Sequence, residues 1–305
     1  MGVMEIDTLV RSRAGPTKAA DRFLFRLWRG LAASFRRRTT SPATSHGTRI
    51  YAIGDIHGRL DLFQRLLRQL EADVGSRGSR PTRIVLLGDL IDRGPHSREV
   101  LELARLIQRN NQGRVVVLCG NHEELLLASA DGHADAQRLW LECGGDATLR
   151  SYGLDPVGFV KLSPEKRAFT LQKHVGPDML CWLAGLPTYW RNGDYFFCHA
   201  GVRPGVPLEN QRREDLLWIR REFLESQSHH GAVIVHGHCE VGDVDVRTNR
   251  IGVDTGAYRS GELTAVGLQD AFRWFVSTTR KYLSRSDLDS ALARAAEGKR
   301  AGPDS

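Results

Sequence analysis

The chain has 305 residues and a mass of 34.1 kDa, with 41% hydrophobic and 26% charged residues, a composition typical of a globular protein with a substantial core. No uncharged apolar run reaches about 18 residues, so the sequence has no candidate transmembrane helix. Eleven prolines without an extended low-complexity tract exclude a mainly disordered chain. The five cysteines form no CxxC motif, which argues against a disulfide framework and predicts a reducing, cytoplasmic location.

The net charge of +7 is concentrated near the start of the chain. Residues 1–48 contain nine Lys or Arg and three Asp or Glu, which leaves residues 49–305 close to neutral. A general binder of nucleic acid would spread its cations over a folded face. The distribution therefore predicts a basic leader over 1–48 and no specific nucleic-acid partner.

Within this leader, residues 20–38 carry apolar side chains at helical spacing with arginines between them. This pattern predicts an amphipathic helix that makes a weak contact with an anionic membrane surface. The protein would then be peripheral to the inner face of the membrane. Two alternatives stay open: a helix packed on the folded domain, and an unstructured leader.

From residue 49 onward, short apolar β-rich segments alternate with helical ones. The predicted strands are Arg49–Ile53, Arg83–Leu87, Arg114–Leu118, Tyr195–Cys198 and Ala232–His236, and the helical segments include Leu60–Leu70 and Glu99–Gln108. Residues 125–190 are predicted to be mainly helical, and 252–276 to form antiparallel strands. The alternation predicts one α/β domain over 49–280 with a mixed sheet, followed by a short helix and flexible tail over 281–305.

Side chains able to bind metal follow each of the five predicted strands. They lie in GDIHG from Gly54, GDLIDRG from Gly88 and GNHE from Gly120, and at His199 and His238. The three glycines are 34 and 32 residues apart, and each interval matches one β-α-β step. Because the carboxyl ends of parallel strands share one edge of a sheet, we expect these side chains to converge on one crevice.

In this order and spacing, GDIHG, GDLIDRG and GNHE resemble the signature of the phosphoprotein phosphatase (PPP) family within the calcineurin-like metallophosphoesterases. The resemblance continues through CHAG, LLWIR, HGH and VDTGA, over residues 49–268. It is strongest to bacterial serine/threonine protein phosphatases similar to the phage lambda phosphatase. The fold that it implies is an α/β/β/α sandwich of two sheets flanked by helices, with two metal ions at its mouth.

The resemblance assigns two divalent metal ions to six side chains of this sequence. Asp55 and His57 would hold the first ion, Asp89 would bridge both, and Asn121, His199 and His238 would hold the second. Oxygen and imidazole donors without thiolate suit manganese, iron or zinc. The family pattern favours Mn2+.

The same resemblance implies that a hydroxide bridging the two ions attacks phosphorus directly. His122 would act as the general acid toward a seryl or threonyl leaving group, and Asp92 would orient and charge its imidazole. Arg93 and Arg220 match the two arginines that hold the substrate phosphate. The predicted enzyme is a serine/threonine protein phosphatase acting on phosphoproteins.

Two other functions remain as alternatives. Symmetrical dinucleoside-tetraphosphate hydrolases belong to the same family, but they usually have ARG in place of Asp92-Arg93-Gly94 and an aspartate in place of Glu123. An inactive phosphate-binding module is disfavoured by the complete set of candidate residues. We interpret Glu123 as a structural residue at a helix N-terminus, and Asp254 as a brace beneath the metal site.

Overall fold

The computed structural model describes residues 41–111 and 113–279. The predicted leader helix at 20–38 and the predicted helix and tail at 281–305 lie outside these residues. The proposed membrane contact of residues 20–38 therefore stays a prediction. In the described part of the chain, no helix combines the length and the apolar character needed to cross a bilayer.

The described strands are short and lie in two mixed sheets. They are β1 (Arg49–Ile53), β2 (Thr82–Leu86), β3 (Val115–Val117), β4 (Tyr189–Asn192), β5 (Tyr195–Cys198), β6 (Val233–His236), β7 (Asp245–Val246), β8 (Arg250–Gly252), β9 (Thr264–Gln269) and β10 (Phe272–Ser277). The first sheet has the order β10-β9-β1-β2-β3, in which β1, β2 and β3 are parallel. The second has the order β4-β5-β6-β8-β7, in which β5, β6 and β8 are parallel.

The helices lie between these strands. They are α1 (Leu60–Ser76), α2 (Ser97–Asn110), α3 (Asn121–Ala130), α4 (Ala134–Trp140), α5 (Asp146–Ser151), α6 (Pro156–Val160), α7 (Pro164–Val175), α8 (Pro177–Ala184), α9 (Arg213–Trp218), α10 (Arg221–Leu224) and α11 (Ala257–Ser260). A π-helical turn at Leu141–Gly145 joins α4 to α5, and a 3-10 turn occupies Leu208–Asn210. The predicted helical content of residues 125–190 agrees with α3 to α8.

The side chains of β1 point alternately to the two faces of the first sheet, and this explains how the sheets and helices pack together. All five residues of this strand are buried, because both faces of the sheet are covered. Ile50 and Ala52 pack into a core shared with Phe197 of the second sheet, whereas Tyr51 and Ile53 pack with the apolar faces of α1 and α2. The period of two along the strand thus divides its side chains between a sheet–sheet core and a sheet–helix core.

The second sheet follows the same rule. Phe197 faces the first sheet, and its neighbour Phe196 packs on the opposite side with Leu216 and Phe223, which belong to α9 and α10. The α/β/β/α sandwich implied by the family resemblance is therefore confirmed.

The expectation of one mixed sheet with a parallel core is wrong, because β5 and β6 belong to a second sheet. Strand–helix alternation does not distinguish the two arrangements, since both bury each strand on two faces. The prediction for residues 252–276 is correct for the antiparallel pair β9–β10. It is incomplete for the end of β8, which pairs antiparallel with β7 but also in parallel with β6, and it is wrong for α11, which precedes β9.

Residues 43–45, at the end of the predicted leader, are hydrogen-bonded to the domain. The Ala43 N–H donates to Asp194 Oδ2 at 3.0 Å, and the Ser45 N–H donates to Asn192 Oδ1 at 2.8 Å. Thr44 is buried, and its N–H donates to the Asp270 carbonyl at 3.0 Å. These contacts fix the chain as it enters β1.

Two glycines offer a test of the packing. A Cβ at Gly267 in β9 would lie 2.1 Å from the indole of Trp274, which is held by a 2.8 Å hydrogen bond from its Nε1 to Asp73 Oδ2. We expect Gly267→Ala to lower the free energy of unfolding by about 1–3 kcal/mol, because the indole cannot move without losing this bond. The urea midpoint measures the change.

The matched control is Gly75→Ala in α1, where an added Cβ meets nothing within 4 Å. Alanine is the better helix former, so this variant should gain about 0.5–1 kcal/mol. Equal urea midpoints for the Gly267 variant and the wild-type protein would contradict the described packing of Trp274.

Candidate metal centre

The candidate site lies where the carboxyl ends of strands from both sheets meet. Asp55, Asp89 and Asn121 follow β1, β2 and β3 of the first sheet, and His199 and His238 follow β5 and β6 of the second. All five are buried, with exposed fractions of 0–7%. The convergence predicted from the sequence is therefore observed, although the strands come from two sheets.

Asp89 occupies the middle of the site. Its carboxylate lies 3.6 Å from His57 Nε2, 3.7 Å from His122 Nε2 and 3.4 Å from His199 Nε2. Two groups of metal-capable atoms share it: one includes His57 and His122, and the other includes His199 and His238. A carboxylate common to both groups has the position required of a bridging ligand.

The donor set around His199 fits a cation. Its Nδ1 lies 3.0 Å from the Leu87 carbonyl, so Nδ1–H is the donor there and Nε2 keeps its lone pair. That lone pair faces Asn121 Oδ1 at 2.8 Å and Asp89 Oδ1 at 3.4 Å. Three acceptor atoms that face one another repel, and a divalent ion between them would turn the repulsion into coordination.

His57 is oriented in the same way. Its Nδ1 lies 2.7 Å from the Ile91 carbonyl, which leaves Nε2 directed toward Asp89. Asp55 approaches from β1, and its carboxylate accepts the backbone N–H of His238 at 3.0 Å. Asp55 thereby links the end of the first sheet to the loop that carries a predicted ligand of the second ion.

The site stabilises the neutral form of three of its histidines and places several buried carboxylates close to one another. Burial lowers the pKa of His57 and of His199, and it lowers the pKa of His238 to about 2, so their ring nitrogens are available as ligands. Burial, Asp254 and Asp89 together raise the pKa of Asp55. Such mutual repulsion between buried carboxylates is relieved by a nearby cation.

The backbone of the site is strained. Six described residues other than glycine have a positive φ, and five of them are site residues: His57, Asp89, Asp92, Arg93 and His238, with Asp270 in the β9–β10 turn as the sixth. Their φ angles range from 45° to 72°. This region disfavours residues with a Cβ, and strain of this kind concentrates at functional sites.

Two glycines allow the ligand loops to approach each other. A Cβ at Gly120 would lie 2.2 Å from Asp89 Oδ1, and a Cβ at Gly237 would lie 2.0 Å from Asp55 Oδ1. Any side chain at either position would displace a carboxylate. This close approach explains why glycine precedes both Asn121 and His238.

His122 and Asp92 form a buried hydrogen-bonded pair. His122 Nδ1 lies 2.6 Å from Asp92 Oδ2, and Trp140 Nε1 donates to the same carboxylate at 3.0 Å. The Thr148 hydroxyl is a further donor to Asp92. These contacts hold Asp92 in place and direct His122 Nε2 toward Asp89 and Arg93.

Burial lowers the pKa of His122, but the charge of Asp89 and the charge and hydrogen bond of Asp92 outweigh this effect. The net pKa therefore lies above its usual range, which suits a proton donor. Burial raises the pKa of Asp92, although its hydrogen bonds to His122 and Thr148 act in the opposite direction.

Glu123 and Asp254 have contacts that agree with their structural interpretation. The fully buried carboxylate of Glu123 accepts the backbone N–H groups of Asp89, Leu90 and Gly120, each at 2.8 Å. It therefore ties the loop after β2 to the start of α3. Asp254 accepts the N–H of Gly256 at 2.9 Å and shapes the loop after β8.

The two candidate phosphate-binding arginines act on different histidines of the site. Arg93 places Nη1 2.9 Å from His57 Nε2 and Nη2 3.3 Å from His122 Nε2. Arg220 is exposed, and its charge adds to burial in lowering the pKa of His199 and His238. Both arginines therefore lie close to the candidate metal ligands.

Sequence reasoning missed four residues that support these groups. Trp140 and Thr148 hold Asp92, the Tyr258 ring lies 4.8 Å from the Arg93 guanidinium, and Glu240 lies 3.7 Å from Arg93 Nη1. Trp140 and Thr148 are 48 and 56 residues from Asp92, so no local pattern connects them. The neighbouring HGHCE and VDTGAY segments could have indicated Glu240 and Tyr258.

The two histidines on either side of Gly237, His236 and His238, allow a matched test of the metal centre. We expect the wild-type protein to bind two equivalents of Mn2+ and His238→Gln to lose about one, because Nδ1 of His238 faces His199 Nε2 at 3.2 Å. His236→Gln should retain both, because His236 Nδ1 contacts the Gly237 carbonyl instead. Metal analysis after gel filtration measures the stoichiometry.

Thermal unfolding of the two variants controls for misfolding. Two equivalents bound by a folded His238→Gln protein, or a loss confined to a folded His236→Gln protein, would contradict the assignment of His238 as the ligand.

Comparison with known proteins places this geometry in a family. The calcineurin-like phosphoesterase family model matches residues 48–267. Serine/threonine-protein phosphatase 1 of Salmonella typhimurium is 28% identical over 229 residues, which cover 72% of this chain and 92% of that protein. A symmetrical bis(5'-nucleosyl)-tetraphosphatase of Chromobacterium violaceum is 27% identical over 272 residues, with the same two coverages.

Among solved structures, a mutant of a cold-active protein tyrosine phosphatase is similar in fold, with a TM-score of 0.53 and 19% identity. The match covers 79% of this chain and 83% of that one. Metallophosphoesterases use a dinuclear metal site, and the His and Asp groups around Asp89 are able to bind metal. The chain belongs to the calcineurin-like phosphoesterase family and is a hydrolase of that family.

Proposed function

We propose that this hydrolase is a serine/threonine protein phosphatase of the bacterial type similar to the phage lambda enzyme. The observation that carries the proposal is the buried pair of His122 and Asp92, whose side chains lie 2.6 Å apart. Asp92 is fully buried and accepts three side-chain donors, so His122 is held in one orientation. This pair supplies an oriented acid.

The chemistry of the leaving group explains why the pair matters. A seryl or threonyl alkoxide is a strong base and leaves only if it receives a proton, which a positioned histidine can donate. A nucleotide phosphate is a much better leaving group and needs no such donor. An acid held by a buried carboxylate therefore favours alkyl phosphates over dinucleoside tetraphosphates.

The ligand assignment is part of the same proposal. Asp55, His57 and Asp89 would hold one Mn2+, and Asp89, Asn121, His199 and His238 would hold the second. Two such ions would supply an activated water and stabilise charge on the phosphoryl oxygens. The neutral imidazoles and the shared position of Asp89 support this assignment.

The remaining roles belong to the chain's own side chains. Arg93 and Arg220 bind the phosphoryl oxygens, because a planar guanidinium offers paired donors to a phosphate. His122 Nε2 lies 3.3 Å from Arg93 Nη2, so a phosphate bound to this arginine is within reach of the acid. His122 donates its proton to the departing oxygen, and Asp92 stabilises the imidazolium before transfer.

Symmetrical hydrolysis of dinucleoside tetraphosphates is the second candidate. The Chromobacterium relative supports it, because its identity and coverage are close to those of the Salmonella protein. The sequence Asp92-Arg93-Gly94 counts against it, since the tetraphosphatases usually have alanine in place of this aspartate.

A comparison of substrates tests the proposed function. With Mn2+ present, we expect kcat/KM for a phosphoserine peptide to exceed that for diadenosine tetraphosphate and for a phosphotyrosine peptide by about tenfold or more, which corresponds to about 1.4 kcal/mol. Phosphate release measures the first and third rates, and chromatography measures the second. The control is the metal-stripped protein, which should be inactive. A tetraphosphate that is the best substrate would overturn the proposal.

His122→Asn separates the acid from the rest of the site. We expect about a 100-fold loss of kcat on the phosphoserine peptide, because a general acid contributes at least this much. The loss on p-nitrophenyl phosphate should be much smaller, since nitrophenolate leaves without a proton. His133→Asn, at an exposed histidine, is the matched control. Equal losses on both substrates would remove His122 from the acid role.

Asp92→Asn tests the coupling between the two side chains. Asp92 raises the pKa of His122, so in the wild-type protein His122 keeps its proton to a higher pH. Removing the charge should move the alkaline limb of kcat for the phosphoserine peptide to lower pH. The alkaline limb of the kcat profile for p-nitrophenyl phosphate serves as the control, and its pH position should not change. A shift of the peptide profile to higher pH would exclude this coupling.

A further inference from the structure

A carboxylate lies beside one of the candidate phosphate-binding arginines. Glu240 Oε1 lies 3.7 Å from Arg93 Nη1 and accepts the Tyr258 hydroxyl at 3.0 Å. Its other oxygen, Oε2, accepts from Arg259 Nη2. The Glu240 side chain is 26% exposed, so solvent and a bound ligand can reach it.

Glu240 is held in this position by its neighbours. The Tyr258 hydroxyl fixes one oxygen, while the Tyr258 ring lies 4.8 Å from the Arg93 guanidinium and 5.5 Å from the His57 ring. Arg259 pairs with the second oxygen from an exposed position, with 71% of its side chain accessible. A charge fixed beside Arg93 acts on any group bound next to the phosphate.

We propose that Glu240 makes this site select substrates in which the phosphate is flanked by a basic group, and reject those in which it is flanked by a further negative charge. The proposal rests on the assignment of phosphoserine peptides as substrates. A phosphoryl group on Arg93 places its neighbours close to Glu240, where charges are partly shielded from water and interact more strongly than in bulk solvent. A lysine there is attracted, whereas a glutamate or a second phosphate is repelled.

The repulsion between Glu240 and a second negative charge on the substrate matters most for specificity. Arg93 and Arg259 would otherwise present two uncompensated cations beside the bound phosphate, and such a surface attracts polyanions. A carboxylate placed among them lowers that attraction while leaving the two phosphate-binding arginines available. Specificity in binding sites commonly depends on such a repulsive element.

The test uses two phosphoserine peptides that differ only in a lysine or a glutamate next to the phosphoserine. Each competes with p-nitrophenyl phosphate at fixed free Mn2+, and the ratio of their inhibition constants is measured. We expect the wild-type protein to prefer the lysine peptide about tenfold, and Glu240→Gln to reduce this ratio about fivefold. High salt should diminish the wild-type ratio, because the effect is electrostatic.

Three further variants separate charge from shape. Glu240→Asp keeps the charge and should keep most of the preference. Arg259→Gln removes the exposed cation that partly neutralises Glu240 and should increase the preference for lysine. Glu102→Gln removes a remote surface carboxylate that pairs with Arg98, and it should leave the ratio unchanged.

The competition reports binding at the site and does not require that the peptides be hydrolysed. Peptides that compete with the expected ratio of inhibition constants but release no phosphate would contradict the proposed function, while the role of Glu240 would still hold. An unchanged ratio in Glu240→Gln, a decreased ratio in Arg259→Gln, or no competition by either peptide would overturn the inference about Glu240.

Discussion

The structure of the site depends on the buried carboxylate of Asp89. It is 2% exposed and lies within 3.7 Å of three imidazole nitrogens, which come from the loop after β1, the first turn of α3 and the loop after β5. Burying a carboxylate is costly unless positive charge or hydrogen bonds compensate. Burial lowers the pKa of His57 and of His199, so these two imidazoles stay neutral and provide no such charge, and only His122, whose pKa is raised, can carry one. Divalent cations would compensate the carboxylate and coordinate the neutral ring nitrogens together. The donor set therefore specifies metal more strongly than any single residue does.

The sandwich supplies the rigidity that this arrangement needs. Residues in the loops that follow β1, β2 and β6 have a positive φ, and each such conformation costs free energy. Strands buried on both faces hold these ends fixed, and Gly120 and Gly237 let the loops approach within contact distance of carboxylates. Glu123 adds three backbone hydrogen bonds that tie β2 to α3. Stability of the sheets thus maintains the strained geometry of the ligands.

Much of the fold and of the candidate site could be predicted, because it depends on residues that are close together in the sequence. The bounds of β1 and β5 are confirmed, since an apolar run followed by glycine and polar residues marks a buried strand and the loop after it. The convergence of the ends of β1, β2 and β3 follows from the β-α-β spacing. The division into two sheets does not, because sheet pairing joins residues far apart in the chain and leaves no local pattern.

The same reason explains the residues that were missed. Trp140 and Thr148 reach Asp92 from the helical segment that follows β3 and precedes β4 in the chain. In the same segment, the carbonyl of Gly144, whose φ is 104°, accepts the backbone N–H of Arg93. Glu240 contacts Arg93 only through the folded site. Long-range contacts of this kind adjust the properties of the acid His122 and of the phosphate-binding Arg93. The sequence motifs alone are enough to recognise these two residues.

Diffraction from Mn2+-soaked crystals at the manganese absorption edge tests the central claim most directly. The account predicts two anomalous peaks about 3.5–4 Å apart, one on each side of the Asp89 carboxylate and both coordinated by it. A single peak, or two peaks that leave Asp89 uncoordinated, would contradict the account.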